Sequence, residues 1–360
     1  MKVATGLAHG IVATPDLAAE AVRAAMERAA IEIAHGVLLF LSSDFAGRPQ
    51  SAIAAAARAA NCLQVAGCSS VGLFTEEDWL LDAPAAAAMV FGAGLELRPA
   101  GADDDWRLAM AAPNAINTAW LDQPGRRYGA VSGDASGQGP YTVWQGSRLT
   151  PGRRCEIAIA GSRCQVGLSR GIQPLSEPCE IDRVSGHDVQ SLDGQPALDS
   201  LARGLPLDAG NSRQFPLHMV MAGIVHGNPE NALMEGRYNL APIIATNMAD
   251  RSVTLSARVR PHDHLFWAMR QPLAAERDMN LMLDRMTGDK MLDPAFGLCF
   301  PSMSRGAYFY GSADRDLEAI KHRFPGMPLI GFYGNGEFAH LDGKNRLLHY
   351  STVLALHYDV

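Results

Sequence analysis

Two charged residues in this sequence sit where an apolar run gives way to small residues. Arg305 ends the stretch Cys299-Phe300-Pro301-Ser302-Met303-Ser304-Arg305-Gly306, and Glu337 follows the turn Gly334-Asn335-Gly336. A guanidinium grips a carboxylate or phosphate through two parallel hydrogen bonds, and a carboxylate holds an ammonium. Arg305 and Glu337 together would therefore suit an amino-acid-like zwitterion. They would equally serve as a structural bridge to each other.

Gly67-Cys68-Ser69-Ser70-Val71-Gly72 is a second candidate. Small neighbours on a turn leave a thiol accessible, and Ser69 and Ser70 offer hydroxyl and N–H groups to an anion. A cysteine among such residues more often packs as a small hydrophobe. His262-x-His264 supplies two metal ligands at most, with no third spaced to join them, so a surface turn is expected and no metal. Gly334-x-Gly336 is not a dinucleotide fingerprint, and no Gly-x-Ser-x-Gly elbow occurs.

The elements that must position these residues read as a mixed α/β (α+β) chain. A strand is expected near Val3–Ala8. A helix opens at Thr14-Pro15 and runs to about His35, and the apolar run Val37–Leu41 follows as a buried strand. An alanine-rich helix over 49–61 returns the chain to Leu63–Ala66. Strand, helix and strand in that order argue for a parallel pair with a right-handed crossover. The turn 67–72 then falls at a strand's carboxyl end, where open α/β sheets bind ligands.

Beyond residue 95 the chain becomes β-rich, with Arg154–Leu168 read as one or two strands. Residues 204–216 read as a linker. Further strands are expected at 243–247, 252–259 and 265–270, helices at 273–287 and 314–323, and a buried strand at Pro328–Tyr333. A last strand is expected to begin at Leu347. There is no short-period repeat. The whole is expected to form two subdomains, 1–220 and 221–360, each with mixed, partly parallel sheets flanked by helices.

Composition sets the outer bounds. The 360 residues suffice for two domains, and a net charge of −7 argues against a general nucleic-acid binder. The six cysteines form no Cys-x-x-Cys, and the N-terminus lacks the apolar core of a secretory signal. No stretch approaches the roughly 18 apolar residues of a membrane span. A cytoplasmic protein with free thiols is expected.

Several strings resemble one family. Gly331-Phe332-Tyr333-Gly334-Asn335-Gly336-Glu337 with His349 and Thr352, the stretch 299–306, Gly67-Cys68-Ser69-Ser70, Leu192-Asp193-Gly194-Gln195-Pro196-Ala197 and the N-terminal Ala4-Thr5-Gly6-Leu7-Ala8 are similar, in order, to motifs of the FIST family. Pro261-His262-Asp263-His264 departs from it, where members often carry a glycine. The resemblance implies a FIST N-like domain over 1–220, a FIST C-like domain over 221–360 and a bacterial-type intracellular sensory protein. Its small ligand, an amino acid or related acid, is expected in a pocket between the subdomains. Cys68, Ser69, Ser70, Arg305, Asn335, Glu337 and His349 would form that site.

No kinase, cyclase, receiver or F-box segment is attached, so output is expected through such a partner protein, and a homodimer is compatible with this. No catalysis, nucleic acid or membrane is expected, and no cofactor. Two alternatives stay open. One is a haem-binding gas or redox sensor using His218, His226, His340 or His349. The other is a hydrolase or transferase dependent on Cys68.

Overall fold

The computed structural model describes residues 1–134, 137–205, 218–288 and 293–360. Most of the expected linker at 204–216 lies outside these residues. The chain packs as two compact units, one of residues 1–169 and 280–360, the other of residues 170–279. This is a partition by packing, not by sequence family. The fold is mixed α/β, with parallel and antiparallel strands in the same sheets.

Among the described residues, the first unit is built on three sheets of six strands each. Each holds one parallel pair bordered on both sides by antiparallel strands. Gly36–Ser42 runs parallel to Val65–Ser70, Trp106–Ala111 to Arg126–Val131, and Phe296–Pro301 to Leu329–Phe332. In each pair a glycine on the second strand faces a residue of the first: Gly67 opposite Leu39, Gly129 opposite Ala109, Gly331 opposite Cys299. A methyl group on any of the three would run into the carbonyl oxygen of the residue it faces. Close backbone approach, which only glycine allows, is therefore the common feature.

The residues just beyond these positions build the core. Phe40, Cys68, Met110, Ala130, Phe300 and Phe332 belong to one buried cluster. Phe40 meets Phe332 edge-on at 4.8 Å between ring centroids, and Phe300 meets Phe332 at 5.3 Å. Pro15–Ala29 and Gln50–Ala59 pack a second, alanine-rich layer against the outer side of the first sheet, with Leu39 and Leu41 facing them.

The second unit is an antiparallel barrel. Val220–Val225, Tyr238–Asn247, Ser252–Leu255, Asp188–Leu192, Cys179–Ser185 and His264–Arg270 pair in sequence, and the last of them pairs back to the first. Trp267, Val253, Leu265 and Ile181 fill the core. Ala197–Gly204 packs on it, with Ser200 accepting the Trp267 indole N–H at 3.2 Å.

Three differences from the sequence reading bear on the site. The first helix ends at Ala29, because Ala30 adopts a left-handed conformation (φ 50°), and Gly36 begins a strand instead of stopping a helix. Residues 67–70 are not a turn but the last residues of a strand, and after Val71 the chain crosses into another sheet as Gly72–Thr75. The stretch from Leu347 is two strands, Lys344–Leu348 and Thr352–Asp359, broken where Tyr350 takes φ 62°.

Candidate functional site

The carboxyl ends of the three parallel pairs meet. Each contributes a carbonyl two residues past its glycine, and each carbonyl is bonded by one of the other two ends. Ser70 donates its hydroxyl to the Tyr333 carbonyl (2.6 Å), Ser132 donates its hydroxyl to the Ser69 carbonyl (2.6 Å), and the Asn335 N–H donates to the Val131 carbonyl (3.0 Å). The bonds close a ring of three strand ends. Ser69 is its hub: its hydroxyl lies 3.2 Å from that of Ser132 and accepts from the Thr142 N–H (3.2 Å) and hydroxyl (3.1 Å). Ser69, Ser70 and Ser132 are fully buried, and Asn335 is exposed over them.

Behind the ring lies a buried ionic network. Arg305 is only 2% exposed and is held bidentately by Asp316, with Nε 2.9 Å from Oδ2 and Nη2 3.0 Å from Oδ1. It also donates to the Ser169 carbonyl (3.0 Å) and hydroxyl (2.8 Å). Asp316 further accepts the hydroxyls of Tyr310 (2.7 Å) and Thr352 (2.8 Å). Asp314 caps the helix Arg315–Arg323 by accepting the Leu317 N–H, and its second oxygen accepts the Tyr333 hydroxyl at 2.6 Å. Burial, then the nearby charge of Asp316, raises the Asp314 carboxyl to about 6. Tyr333 thus joins ring and network through one residue.

All seven residues singled out from the sequence fall in the first unit. Ser69, Ser70 and Asn335 meet in the ring. Glu337, fully buried, accepts the Ser351 N–H (3.2 Å) and hydroxyl (2.7 Å), while Arg305 faces Asp316. His349 is exposed and lies beside Gly336, close enough that a Cβ there would come within 3.3 Å of its ring. Cys68 occupies the same place as Phe332 and Ala130 in their strands. It is fully buried, and burial pushes its thiol well above the ordinary range. The accessible thiol that small neighbours suggested is instead a packing residue.

Sequence reasoning missed Ser132, Asp314, Asp316 and Ser351. A signal for Ser132 was present: Gly129-Ala130-Val131-Ser132 repeats the Gly-x-x-Ser spacing of Gly67-Cys68-Ser69-Ser70.

Haem would need a histidine with a ring nitrogen to spare. His357, buried and depressed to about 3 by that burial, is bonded through both nitrogens, to Ser162 (2.9 Å) and Tyr128 (3.2 Å). His340 Nδ1 faces Asn345 Oδ1 at 3.1 Å. The cleft around Gln50 and Arg148 and the cleft around Arg323 and Pro325 have no histidine on their walls. Among the described residues no cluster of three His, Cys, Asp or Glu could hold a metal ion. His262, in the second unit, pairs with Glu180 (2.5 Å). No helix among the described residues is long and apolar enough to cross a membrane.

Comparison with known proteins bears on these features. Residues 197–340 match the FIST C domain. An uncharacterized protein of Mycobacterium bovis is 24% identical over 203 residues, 56% of this chain and 53% of that relative. An uncharacterized protein of Mycobacterium tuberculosis is 23% identical over the same length and shares. The chain thus spans about half the length of the curated relatives it matches. The matched segment carries Arg305, Asp314, Asp316, Tyr333, Asn335 and Glu337. The likeness to the FIST C domain thus extends over residues 197–340 of this chain.

Proposed function

We propose that this protein is an intracellular sensor that binds a small polar ligand, an amino acid or related small acid, over the ring of strand ends. It signals through a separate partner protein such as a kinase or cyclase. The observation that carries the reading is the ring itself: three strand ends placing Ser69, Ser132 and Asn335 together, with Asn335 at the surface. Carboxyl ends of parallel strands gather backbone and hydroxyl groups that no helix or ladder consumes, which is why ligands collect there. In this reading Asn335 faces the ligand, and the buried Ser69 and Ser70 fix the strand ends beneath it. Arg305 and Glu337 act from behind, holding the strand ends in place through Asp316, Ser169 and Ser351. The reading assigns no chemistry to the site and no haem.

The test is a thermal-shift screen of the full chain against the amino acids and small carboxylic acids. A ligand at a hundred times its dissociation constant adds about 2.7 kcal/mol to stability, a shift of several degrees. We expect at least one compound to do this, and Asn335→Ala to lose the shift while keeping the fold. Absence of any stabilising compound, or a shift unchanged in Asn335→Ala, overturns the proposal. A Soret band on adding haem, removed by a single His→Ala change, would overturn its cofactor-free part.

A further inference from the structure

A cleft of about 810 Å³ lies on the first unit, where the last turn of the helix Gln50–Ala59 and the loop to Gln64 meet the tight turn Gly146–Arg148. Its size falls in the range of small-molecule sites. Arg58 and Arg148 are exposed on its wall, joined by the carboxamides of Gln50, Asn61 and Gln64. No Asp or Glu lines it, and among the described residues neither arginine makes an ion pair. In a chain with 38 acidic and 31 basic residues, an acid-free cleft carrying two unneutralised guanidiniums is a local reversal of sign.

The walls are partly fixed. Gln50 donates to the Ser147 carbonyl (2.9 Å) and Ser147 to the Leu63 carbonyl (2.7 Å), which ties helix, loop and turn together. The carbonyl end of the helix would repel an anion, but its exposed carbonyls are taken internally: Ala56, Ala57 and Arg58 accept from the N–H groups of Ala60, Cys62 and Asn61. Ala54, Ala57 and Leu63 add apolar surface between the charges.

We propose that this cleft binds an organic oxyanion, a carboxylate or phosphate carried on a small apolar group. Arg58 and Arg148 hold the charged end and the alanine and leucine surface receives the rest. Planar guanidinium forks suit such oxyanions, and the neighbouring carboxamides supply further donors. The site is independent of the strand-end ring and shares no residue with it.

The cleft carries its own reporter, the half-buried thiol of Cys62, which accepts the Gln64 N–H at 3.3 Å. Calorimetric titration of the full chain with phenyl phosphate, benzoate, inorganic phosphate and benzyl alcohol tests the proposal. Iodoacetamide labelling of Cys62 is followed in parallel, with Cys179 in the second unit as internal control. Phenyl phosphate or benzoate is expected to bind saturably and slow labelling of Cys62 but not of Cys179. The stronger of the two tells which oxyanion is preferred.

Benzyl alcohol is expected not to bind, and inorganic phosphate to bind more weakly than phenyl phosphate. The surface double variant R58Q/R148Q is expected to weaken binding by about tenfold or more, the loss of charge-assisted hydrogen bonds. Failure of both aromatic anions at millimolar concentration overturns the proposal, as does affinity unchanged in R58Q/R148Q or Cys62 labelling unchanged by bound ligand. Asn335→Ala leaves this binding intact, so its failure and that of the ring are told apart.

Discussion

In the pair Gly36–Ser42 and Val65–Ser70, Leu39 faces Gly67 and the strand ends in two buried serines. In the pair Phe296–Pro301 and Leu329–Phe332, Cys299 faces Gly331 and the strand leads into Tyr333, whose hydroxyl bonds a buried carboxylate. The backbone geometry is shared, yet the crossovers differ. The first uses Gln50–Ala59, which presents alanine and isoleucine to the sheet. The second brings Asp314 and Asp316 at the head of Arg315–Arg323 against Arg305. The first end is neutral and satisfied by hydroxyls, and the second is ionic. A frame of this kind fixes where a strand stops, while the helix packed beside it decides what charge is met there.

Breaking the ionic end should cost most. Arg305→Met strands Asp316 in the interior and should destabilise the protein by about 3–5 kcal/mol in denaturant unfolding. The double change R305M/D316L should recover much of that loss. If the single change is mild, the network is not what holds this end.

Next come the glycines. Gly67→Ala and Gly331→Ala should each cost about 1–3 kcal/mol, since each methyl meets a carbonyl, and Gly129→Ala should cost more, because its φ of 133° adds backbone strain. Gly47→Ala and Gly152→Ala, where nothing lies within 4 Å, should stay within about 0.5 kcal/mol. Unequal losses at Gly67 and Gly331 would break the equivalence of the pairs.

The acid at the ionic end sharpens the contrast through pH. Asp314, raised from an ordinary 3.8 to about 6, keeps its proton in the fold at pH values where the unfolded chain has lost it. Its contribution is therefore present below about pH 4 and is lost as pH rises to about 6. Asp314→Asn keeps the oxygen that caps the helix but removes the titration. Wild type should lose more stability than the variant between pH 4 and 7, and equal losses would refute the assignment.

The smallest effect belongs to the neutral end. Ser69→Ala removes a hydroxyl hub and should cost about 1 kcal/mol in the same unfolding assay.

Much of this frame was legible in sequence. The run Val37–Leu41 has no polar break, which identified a strand covered on both faces, and the helix–strand order after it gave the parallel pair. What stayed hidden is long-range. Gly72–Thr75 follows Ser70 by one residue yet pairs with Leu329–Phe332, some 260 positions away, and no local pattern encodes a change of sheet. Of Gly331, Gly334 and Gly336, only Gly336 takes a positive φ (133°), whereas Gly331 is needed for the approach of two backbones.

Arg305 and Glu337 were found because charge after an apolar strand is conspicuous. Asp316 was not, because within Arg315–Arg323 it looks like one more acid on a solvated helix.

One arrangement in the first unit bears on how the chain comes to be folded. Thr352–Asp359 lies between Ser162–Ser169 and Phe296–Pro301 in its sheet, bonded to both. While the ribosome is still short of residue 352, those two strands have no neighbour to join them, and Asp316 lacks its Thr352 partner. The barrel of residues 170–279 closes on segments already made, so it can be complete while the older part of the chain is still waiting.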